Sequence, residues 1–363
     1  MSPDAPEIDE CLSRASTLPA RWYTDPAALL RENEALFART WQLAGRATQL
    51  EEPGDYFTLD VAGEPLIVVR ETERRLRALS AVCRHRAGPV ARGAGHRSSF
   101  QCGYHGWTYG LDGRLLATPE FEAVEAFDRT SVRLPEARVG TWGPFVFVNL
   151  DEQAPPLEEW MPEVFSRASA LPLQRMRQVE RRDYVVACNW KVYVDNYLEG
   201  YHIPIVHPAL FRELDYASYR TETFEHVSLQ LSPLRRGGEN RHYAAPEEQA
   251  GEALYFWVFP NLALNLYPDS VSTNLIVPLG PEKTLTIFEW FLTDPGRAAD
   301  REAVRKAIDF SDAIQREDIA ICEAVQRGLR SRTYDRGRFS VRRENGVHHF
   351  HRLLARFLSP PAP

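Results

Sequence analysis

Two short cysteine–histidine motifs constrain this chain more than any other feature of its sequence. The first is Cys83-Arg84-His85 and the second is Cys102-Gly103-Tyr104-His105, with 16 residues between them. Each motif offers one thiolate and one imidazole, and several glycines lie in and around both motifs. Glycines allow tight loops, and thiolates with imidazoles are common metal ligands. The sequence therefore predicts two loops that come together around a metal centre.

The four candidate ligands Cys83, His85, Cys102 and His105 fit two kinds of metal centre. Zinc fingers also use two Cys and two His, but their Cys pair usually precedes their His pair. In a Rieske [2Fe–2S] cluster, two Cys bind one iron and two His bind the other. Because each motif here is mixed, two parallel loops can each give one ligand to each iron. We therefore expect the Rieske cluster, with zinc as the alternative.

The composition indicates an ordinary globular protein and excludes two classes of function. At 363 residues the chain has room for two or more domains, and a net charge of −7 gives no basic footprint for nucleic acid. The sequence has no run of about 18 apolar residues and no apolar signal core at its start, so we expect no membrane partner. Five cysteines, an odd number spread over a long chain, favour a reducing compartment, and we expect the cytoplasm.

Strand and helix patterns divide the chain into three segments. Residues 1–39 contain an amphipathic helical stretch, which we expect to pack on the third segment. Short strand patterns from 40 to 155 predict a small all-β domain around the four ligands. From 156 to 363, antiparallel strand patterns are flanked by separate helices, including a long helix from about 297 to 329. The sequence therefore predicts an α+β fold.

Glu199, His202 and His207 form a second group of candidate metal-site residues. Residues three apart on a helix share a face, so Glu199 and His202 should point the same way. Pro204 cannot continue a regular helix, and the helix should distort or end near His202, which lets His207 turn back toward the same point. Two neutral imidazoles aimed at one point suit Fe(II), Zn or Cu. The alternative is two unrelated histidines near a helix end.

Asp318 is the best candidate for a third ligand. Residues with helical period define the buried stripe of the long C-terminal helix. The stripe comprises Val304, Ala307, Ile308, Ser311, Ile314, Cys322, Val325 and Leu329. At about 100° per residue, Asp318 falls inside this stripe, whereas Glu317 points well away from it. A buried carboxylate is costly unless it is paired or binds a metal, and two His plus one carboxylate form the facial triad of non-haem Fe(II) oxygenases. A salt-bridged Asp318 is the alternative.

With both sites described, the chain resembles the α subunit of Rieske non-haem iron oxygenases over nearly its whole length. The segments that carry this resemblance are 18–24, 40–41, 83–107, 189–208 and 315–329. Within that family the chain is most similar to the choline, glycine betaine and carnitine monooxygenase branch. The residues behind this narrower resemblance are Asp195–His202, Phe259–Leu262, Thr273–Gly280 and Glu317–Leu329.

The resemblance implies a fold, cofactors and partners. It implies an all-β Rieske domain (40–155) and a helix-grip catalytic domain (156–363), in which an antiparallel sheet packs against a long C-terminal helix. The implied cofactors are the [2Fe–2S] cluster and a mononuclear Fe(II), and the implied partners are an NAD(P)H-dependent flavin and iron–sulfur reductase and further copies in a homotrimer. Glu199 takes the place of an acid, Asp in most members, that bridges to a Rieske His of a neighbouring subunit. Asn196 of the same motif is included as a second candidate catalytic residue.

The resemblance also implies a terminal oxygenase that uses O2 and reductase electrons to hydroxylate a small organic substrate. We expect a quaternary ammonium compound, which needs an aromatic cage. The candidate aromatics are Tyr201, Tyr255, Phe256, Trp257, Phe259, Tyr267, Phe288, Trp290 and Phe291. Because strand aromatics are usually core residues, aromatic ring hydroxylation or O-demethylation remains the alternative. A Rieske electron carrier without oxygen chemistry, which needs only the first motif pair, is the alternative from another class.

Overall fold

The chain forms two compact units. The computed structural model describes residues 5–232, 253–267, 270–293 and 298–359. A smaller unit comprises residues 37–160, and a larger unit comprises residues 1–36 and 161–363. The sequence predicts divisions after residues 39 and 155, and the structure divides the chain after residues 36 and 160.

The N-terminal segment belongs to the larger unit. It contains helix α1, Arg21–Thr24, and helix α2, Pro26–Glu32. Asp25 caps α2, because its side chain accepts a hydrogen bond from a backbone N–H of the first turn at 2.9 Å. Glu32 is fully buried, and its Oε1 lies 2.6 Å from Nζ of the equally buried Lys191. This ion pair fastens the segment to the body of the larger unit.

The smaller unit, all of whose residues are described, consists of two antiparallel sheets. Its elements are β1 (Gln42–Arg46), β2 (Asp55–Val61), β3 (Glu64–Thr72), β4 (Arg75–Ser80), β5 (Ala94–His96), β6 (Ser99–Gln101), β7 (Thr108–Gly110), β8 (Leu115–Ala117), β9 (Glu136–Trp142), β10 (Phe145–Asn149) and α3 (Leu157–Trp160). One sheet has the order β1-β10-β9-β4-β3-β2-β5, and the other has the order β6-β7-β8. The loop after β4 carries Cys83 and His85, and the β6–β7 loop carries Cys102 and His105. The prediction of an all-β domain around these ligands is confirmed.

The larger unit combines one antiparallel sheet with helices. After the N-terminal segment its elements are α4 (Pro162–Arg167), β11 (Arg177–Val186), α5 (Trp190–Tyr197), α6 (Ile203–Val206), α7 (Pro208–Glu213), β12 (Arg220–Thr223), β13 (Val227–Ser232), β14 (Ala253–Val258), β15 (Leu262–Leu266), β16 (Ser270–Gly280), β17 (Lys283–Leu292), α8 (Ala298–Leu329) and α9 (Asn345–Leu358). The strand order is β11-β17-β16-β15-β14-β13-β12. The predicted α+β fold with an antiparallel sheet and a long C-terminal helix is confirmed.

One face of this sheet contacts α8, and we call it the inner face. Gln315 of α8 donates to Thr286 Oγ1 at 3.1 Å, and Tyr184 of β11 donates to Asp312 of α8 at 2.6 Å. Because strand side chains alternate between faces, the register assigns further residues to the same face. The inner face includes Tyr255, Trp257, Asn265, Ser272, Asn274, Thr286, Phe288 and Trp290. The helix that carries Asp318 therefore packs on this face.

The buried stripe of α8 agrees with the prediction only in part. Ile308, Cys322 and Leu329 are buried, but Val325 is 44% exposed, which contradicts its predicted place in the stripe. Two glutamines are buried instead. Gln315 contacts the sheet, and Gln326 accepts the backbone N–H of residue 189 at 2.9 Å. These glutamines can be buried because their amides are hydrogen-bonded, which an apolar periodicity does not reveal. The side chain of Val304 lies outside the described residues.

Candidate metal centres

The two loops of the smaller unit bring the four predicted cluster ligands together. Cys83 and Cys102 are each 3% exposed, and the rings of His85 and His105 have centroids 4.7 Å apart at 71°. The loops approach closely at Gly88, where a Cβ would lie 2.9 Å from Cys102 Sγ. The thiols therefore lie on the buried side of the site and the imidazoles nearer to its surface.

The donor atoms at this site fit a Rieske cluster. Nδ1 of His85 is buried and has no hydrogen-bond partner among the described residues, which is costly unless the atom binds a metal. The His85 ring stacks on Trp107, with centroids 4.8 Å apart and 9° between planes, so its orientation is set. Burial, followed by the charges of His85 and Arg86, lowers the pKa of His105. A lowered pKa favours the neutral imidazole that a metal requires.

The second group of predicted ligands is built on a break in the chain after α5. The prediction that one helix carries both Glu199 and His202 is wrong, because α5 ends at Tyr197. The chain then passes close to another side chain, since a Cβ on Gly200 would lie 2.7 Å from the Tyr219 ring. A new helix, α6, starts directly after His202 and ends directly before His207, and α7 follows. The loop and this single turn, rather than a continuous helix, direct both histidines inward.

His202, His207 and Asp318 converge on one point. One ligand atom from each residue lies within 4.8 Å of the others. Asp318 Oδ1 is 2.9 Å from His207 Nε2 and 3.7 Å from His202 Nε2. Two imidazoles and one carboxylate on one side of a point match the facial triad of non-haem Fe(II) sites. We call these three residues the triad.

Two glutamates hold the far sides of the imidazoles. His202 Nδ1 lies 2.6 Å from Glu199 Oε1, and His207 Nδ1 lies 2.7 Å from Glu317 Oε2. Because a carboxylate only accepts, each Nδ1 donates its proton to a glutamate, and each Nε2, which faces Asp318, is the ring atom that would bind a metal. The predicted separation of Glu317 from the site is therefore wrong. The Glu317 side chain is 42% exposed, as a position off the stripe predicts, yet its carboxylate reaches His207.

Burial and the two neighbouring carboxylates act on the pKa of His207 in opposite directions. Burial is the largest influence and opposes protonation, but the hydrogen bonds and charges of Asp318 and Glu317 outweigh it and raise the pKa of His207. Glu199 also accepts backbone N–H groups of Tyr201 and His202, which fixes the loop that carries it. The carboxylates thus hold both imidazoles in one orientation.

Asn196 is not brought into this cluster. It lies half-buried on α5, and its side chain makes no hydrogen bond to the triad among the described residues. Its catalytic role stays a prediction. The neighbouring Asp195 faces another way, toward the buried His351 of α9, with Oδ1 2.9 Å from Nε2.

Comparison with known proteins assigns a family to each of the two units. The family described as "Ring hydroxylating alpha subunit (catalytic domain)" matches residues 173–360, and the Rieske [2Fe-2S] domain family matches residues 40–128. The chain belongs to the Rieske oxygenase α-subunit family. It is 38% identical over 94% of its length to choline monooxygenase of Arabidopsis thaliana, covering 83% of that protein. It is 30% identical to the carnitine monooxygenase oxygenase subunit of Acinetobacter pittii, with 94% of each chain covered.

Solved structures give the same family and fold. A quaternary ammonium Rieske monooxygenase, whose structure concerned carnitine oxidation and inter-subunit electron transfer, has a TM-score of 0.84 at 28% identity, with 97% of this chain and 100% of that chain covered. Naphthalene 1,2-dioxygenase from Rhodococcus has a TM-score of 0.79 at 19% identity, with 96% and 95% covered, and shares the fold alone.

Family membership establishes the enzyme class of this Rieske oxygenase subunit. The predicted Rieske [2Fe–2S] cluster and mononuclear iron are confirmed as its cofactors, and the electron carrier without oxygen chemistry is excluded. As an oxygenase subunit, the protein depends on a reductase for electrons. Among the described residues, no helix is both long enough and apolar enough to cross a bilayer.

Proposed function

We propose that this Rieske oxygenase is a terminal monooxygenase that hydroxylates a quaternary ammonium compound. The observation that carries the proposal is the aromatic lining of the inner face beside the triad. Phe288 and Trp290 have ring centroids 5.9 Å apart, and Tyr255 and Tyr267 have centroids 6.2 Å apart. Gln315, one helical turn before Asp318, bonds to this same face. Ring faces attract an alkylammonium cation once water is excluded.

The relatives support this substrate class. Proteins similar to nearly the whole chain include ones named choline and carnitine monooxygenases. A plain aromatic hydrocarbon, the alternative substrate, would fit the rings but not the polar residues between them. Asn265, Ser272 and Asn274 lie on the inner face, and a hydrocarbon offers them no hydrogen bond.

We assign the cofactor ligands as follows. Cys83 and Cys102 would bind one iron of the [2Fe–2S] cluster and His85 and His105 the other, and the triad would bind the mononuclear iron. The cofactors, when bound, supply stored electrons and a centre for O2 activation. The residues around the triad orient its imidazoles and keep water away from them. Glu199 holds His202 and Glu317 holds His207 through their Nδ1 protons.

We further propose that the active form is a homotrimer in the cytoplasm. A neighbouring copy would place His105 beside Glu199, whose carboxylate already contacts His202. The inter-subunit electron transfer described for the structurally similar quaternary ammonium monooxygenase supports this arrangement. The reductase would be an NAD(P)H-dependent flavin and iron–sulfur protein. The five cysteines, all among the described residues, form no disulfide, as expected in a reducing compartment.

An NAD(P)H-coupled O2-uptake screen tests the proposal. With a generic flavin and iron–sulfur reductase, choline, glycine betaine and carnitine are compared with simple arenes. Uptake and aldehyde release with a quaternary ammonium compound are expected, and uptake with arenes alone would overturn the substrate class.

Metal analysis should give about three irons and two sulfides per chain. Asp318→Ala should abolish uptake, and retained uptake would remove Asp318 from the ligand set.

A further inference from the structure

The side chain of Asn274 in β16 carries an unused hydrogen-bond acceptor. Asn274 is only 6% exposed, and its buried Oδ1 has no partner among the described residues. Its inner-face neighbours are paired, since Asn265 donates to Ser272 Oγ at 3.0 Å and the Tyr197 hydroxyl donates to Asn265 Oδ1 at 3.0 Å. Nearly all buried polar atoms in folded proteins are hydrogen-bonded. The acceptor of Asn274 is therefore available to a ligand.

The strand register places Asn274 on the side of the sheet that the triad occupies. Asn274 lies directly opposite Phe288 of β17. Two residues along the same face of β17, Thr286 accepts the hydrogen bond from Gln315, one helical turn before Asp318. Tyr197, whose hydroxyl reaches this face, lies near the break that carries the triad histidines. Asn274 thus lies on the part of the inner face that contacts both α8, which carries Asp318, and α5, which ends shortly before His202.

The charges on the inner face restrict what the Asn274 side chain can bind. In the described strands, the register assigns two cationic side chains to the inner face, those of Arg177 and Arg182. Arg177, at the exposed start of β11, donates to the backbone carbonyls of residues 174 and 176. Arg182 already pairs with Asp309 and Asp312 of α8 and with Glu180. A substrate carboxylate buried beside Asn274 would meet no unpaired cation among these strand residues to offset its desolvation. A neutral hydroxyl needs only the acceptor and donor that an amide provides.

We propose that Asn274 binds the hydroxyl group of a quaternary amino alcohol, with Oδ1 accepting the substrate O–H. This inference rests on the proposed function and deepens it, because it selects an alcohol over a carboxylate as the second group of the substrate. Asn274 and Phe288 are directly opposed, so their Cβ atoms lie about 5 Å apart. One short molecule can therefore place its trimethylammonium against the Phe288 ring and its hydroxyl against Asn274. The substrate class is a trimethylammonium joined to an alcohol by a short carbon chain.

Binding to the intact holoenzyme tests the proposal by calorimetry, without turnover. The probes are choline, ethyltrimethylammonium, which lacks only the hydroxyl, and glycine betaine, which carries a carboxylate. Wild type should bind choline at least about tenfold more tightly than either other probe, since a site built to bond a hydroxyl rejects an analogue without it. Asn274→Leu should reduce the preference for choline over ethyltrimethylammonium to within about twofold. Thr273→Val is the matched control, because Thr273 is the adjacent buried residue on the opposite face.

The outcomes separate this inference from the proposed function. If choline and ethyltrimethylammonium bind wild type equally, Asn274 is not a hydroxyl-binding residue, although the quaternary ammonium class stands. Preferred binding of glycine betaine likewise overturns the inference alone. If none of the three probes binds while arenes do, the proposed function fails with it. The comparison of probes on wild type decides the question even if Asn274→Leu does not fold. Thr273→Val should keep the wild-type preference, and a loss equal to that of Asn274→Leu would indicate a general packing effect and refute the assignment.

Discussion

Replacing Glu317 with alanine should weaken metal binding at the triad. Glu317 Oε2 is 2.7 Å from His207 Nδ1, so the carboxylate fixes the ring and its tautomer while Nε2 faces Asp318. The Glu317 side chain is 42% exposed, which moderates the strength of this contact. Loss of such an outer carboxylate typically lowers metal affinity by about 10–100-fold, or about 1.4–2.7 kcal/mol. Because of the exposure, we expect Glu317→Ala to lie toward the lower end of this range.

Equilibrium dialysis with Co(II) measures this effect. Mass spectrometry quantifies the bound Co(II) and distinguishes it from the iron of the cluster. Glu317→Gln should retain more affinity than Glu317→Ala, because its amide oxygen still accepts the Nδ1 proton. Glu302→Ala is the matched control, since Glu302 lies on the same helix, is 67% exposed and pairs only with Lys306 among its described ion pairs. If Glu317→Ala binds Co(II) within twofold of wild type, Glu317 does not position His207 and the reasoning is refuted.

Three further changes test other parts of the molecule. Glu32→Gln should lower the free energy of unfolding by about 3–5 kcal/mol in urea denaturation, because it leaves the ammonium of Lys191 buried without its counter-charge. Burial lowers the pKa of His349 to about 4. Its pKa in the unfolded chain is about 6.5, so the unfolded state binds the extra proton first, and up to about 3 kcal/mol of stability should be lost as pH falls from about 6.5 to about 4. Gly88→Ala should reduce the iron and sulfide content, because its Cβ would lie 2.9 Å from Cys102 Sγ.

Each of these predictions has a control within the same chain. Glu34→Gln changes an exposed acid two residues after Glu32 in sequence, and an equal loss of stability would show that the buried ion pair is not the cause. His349→Asn should flatten the fall in stability with acid, whereas the exposed His96→Asn should not, and an unchanged slope in His349→Asn would contradict the assignment. Gly103→Ala should keep its cluster, because nothing lies within 4 Å of its Cβ position, and equal cluster loss in both glycine variants would contradict the close-approach argument.

Local patterns predicted the parts of the molecule that depend on neighbours in sequence. The all-β unit around Cys83 and His105 and the long helix that carries Asp318 follow from strand alternation and helical period. Prediction failed where the path of the chain depends on distant residues. Gly200 passes against the Tyr219 ring, and α5 ends before Glu199. No local pattern contains that contact.

The sequence by itself was enough to predict the cluster ligands and the three residues of the triad, because the residue types that can bind a metal and their spacing are read directly from the chain. The family followed from the resemblance of longer segments. Tertiary structure decided how those residues are held and what they face. It brought Glu317 to His207 through the reach of a long side chain, and it sorted the aromatic residues between the two faces of the sheet through strand register. It also left Asn274 with an unpaired acceptor. A hydrogen-bond partner is set by packing between distant segments, and spacing along the chain does not record it.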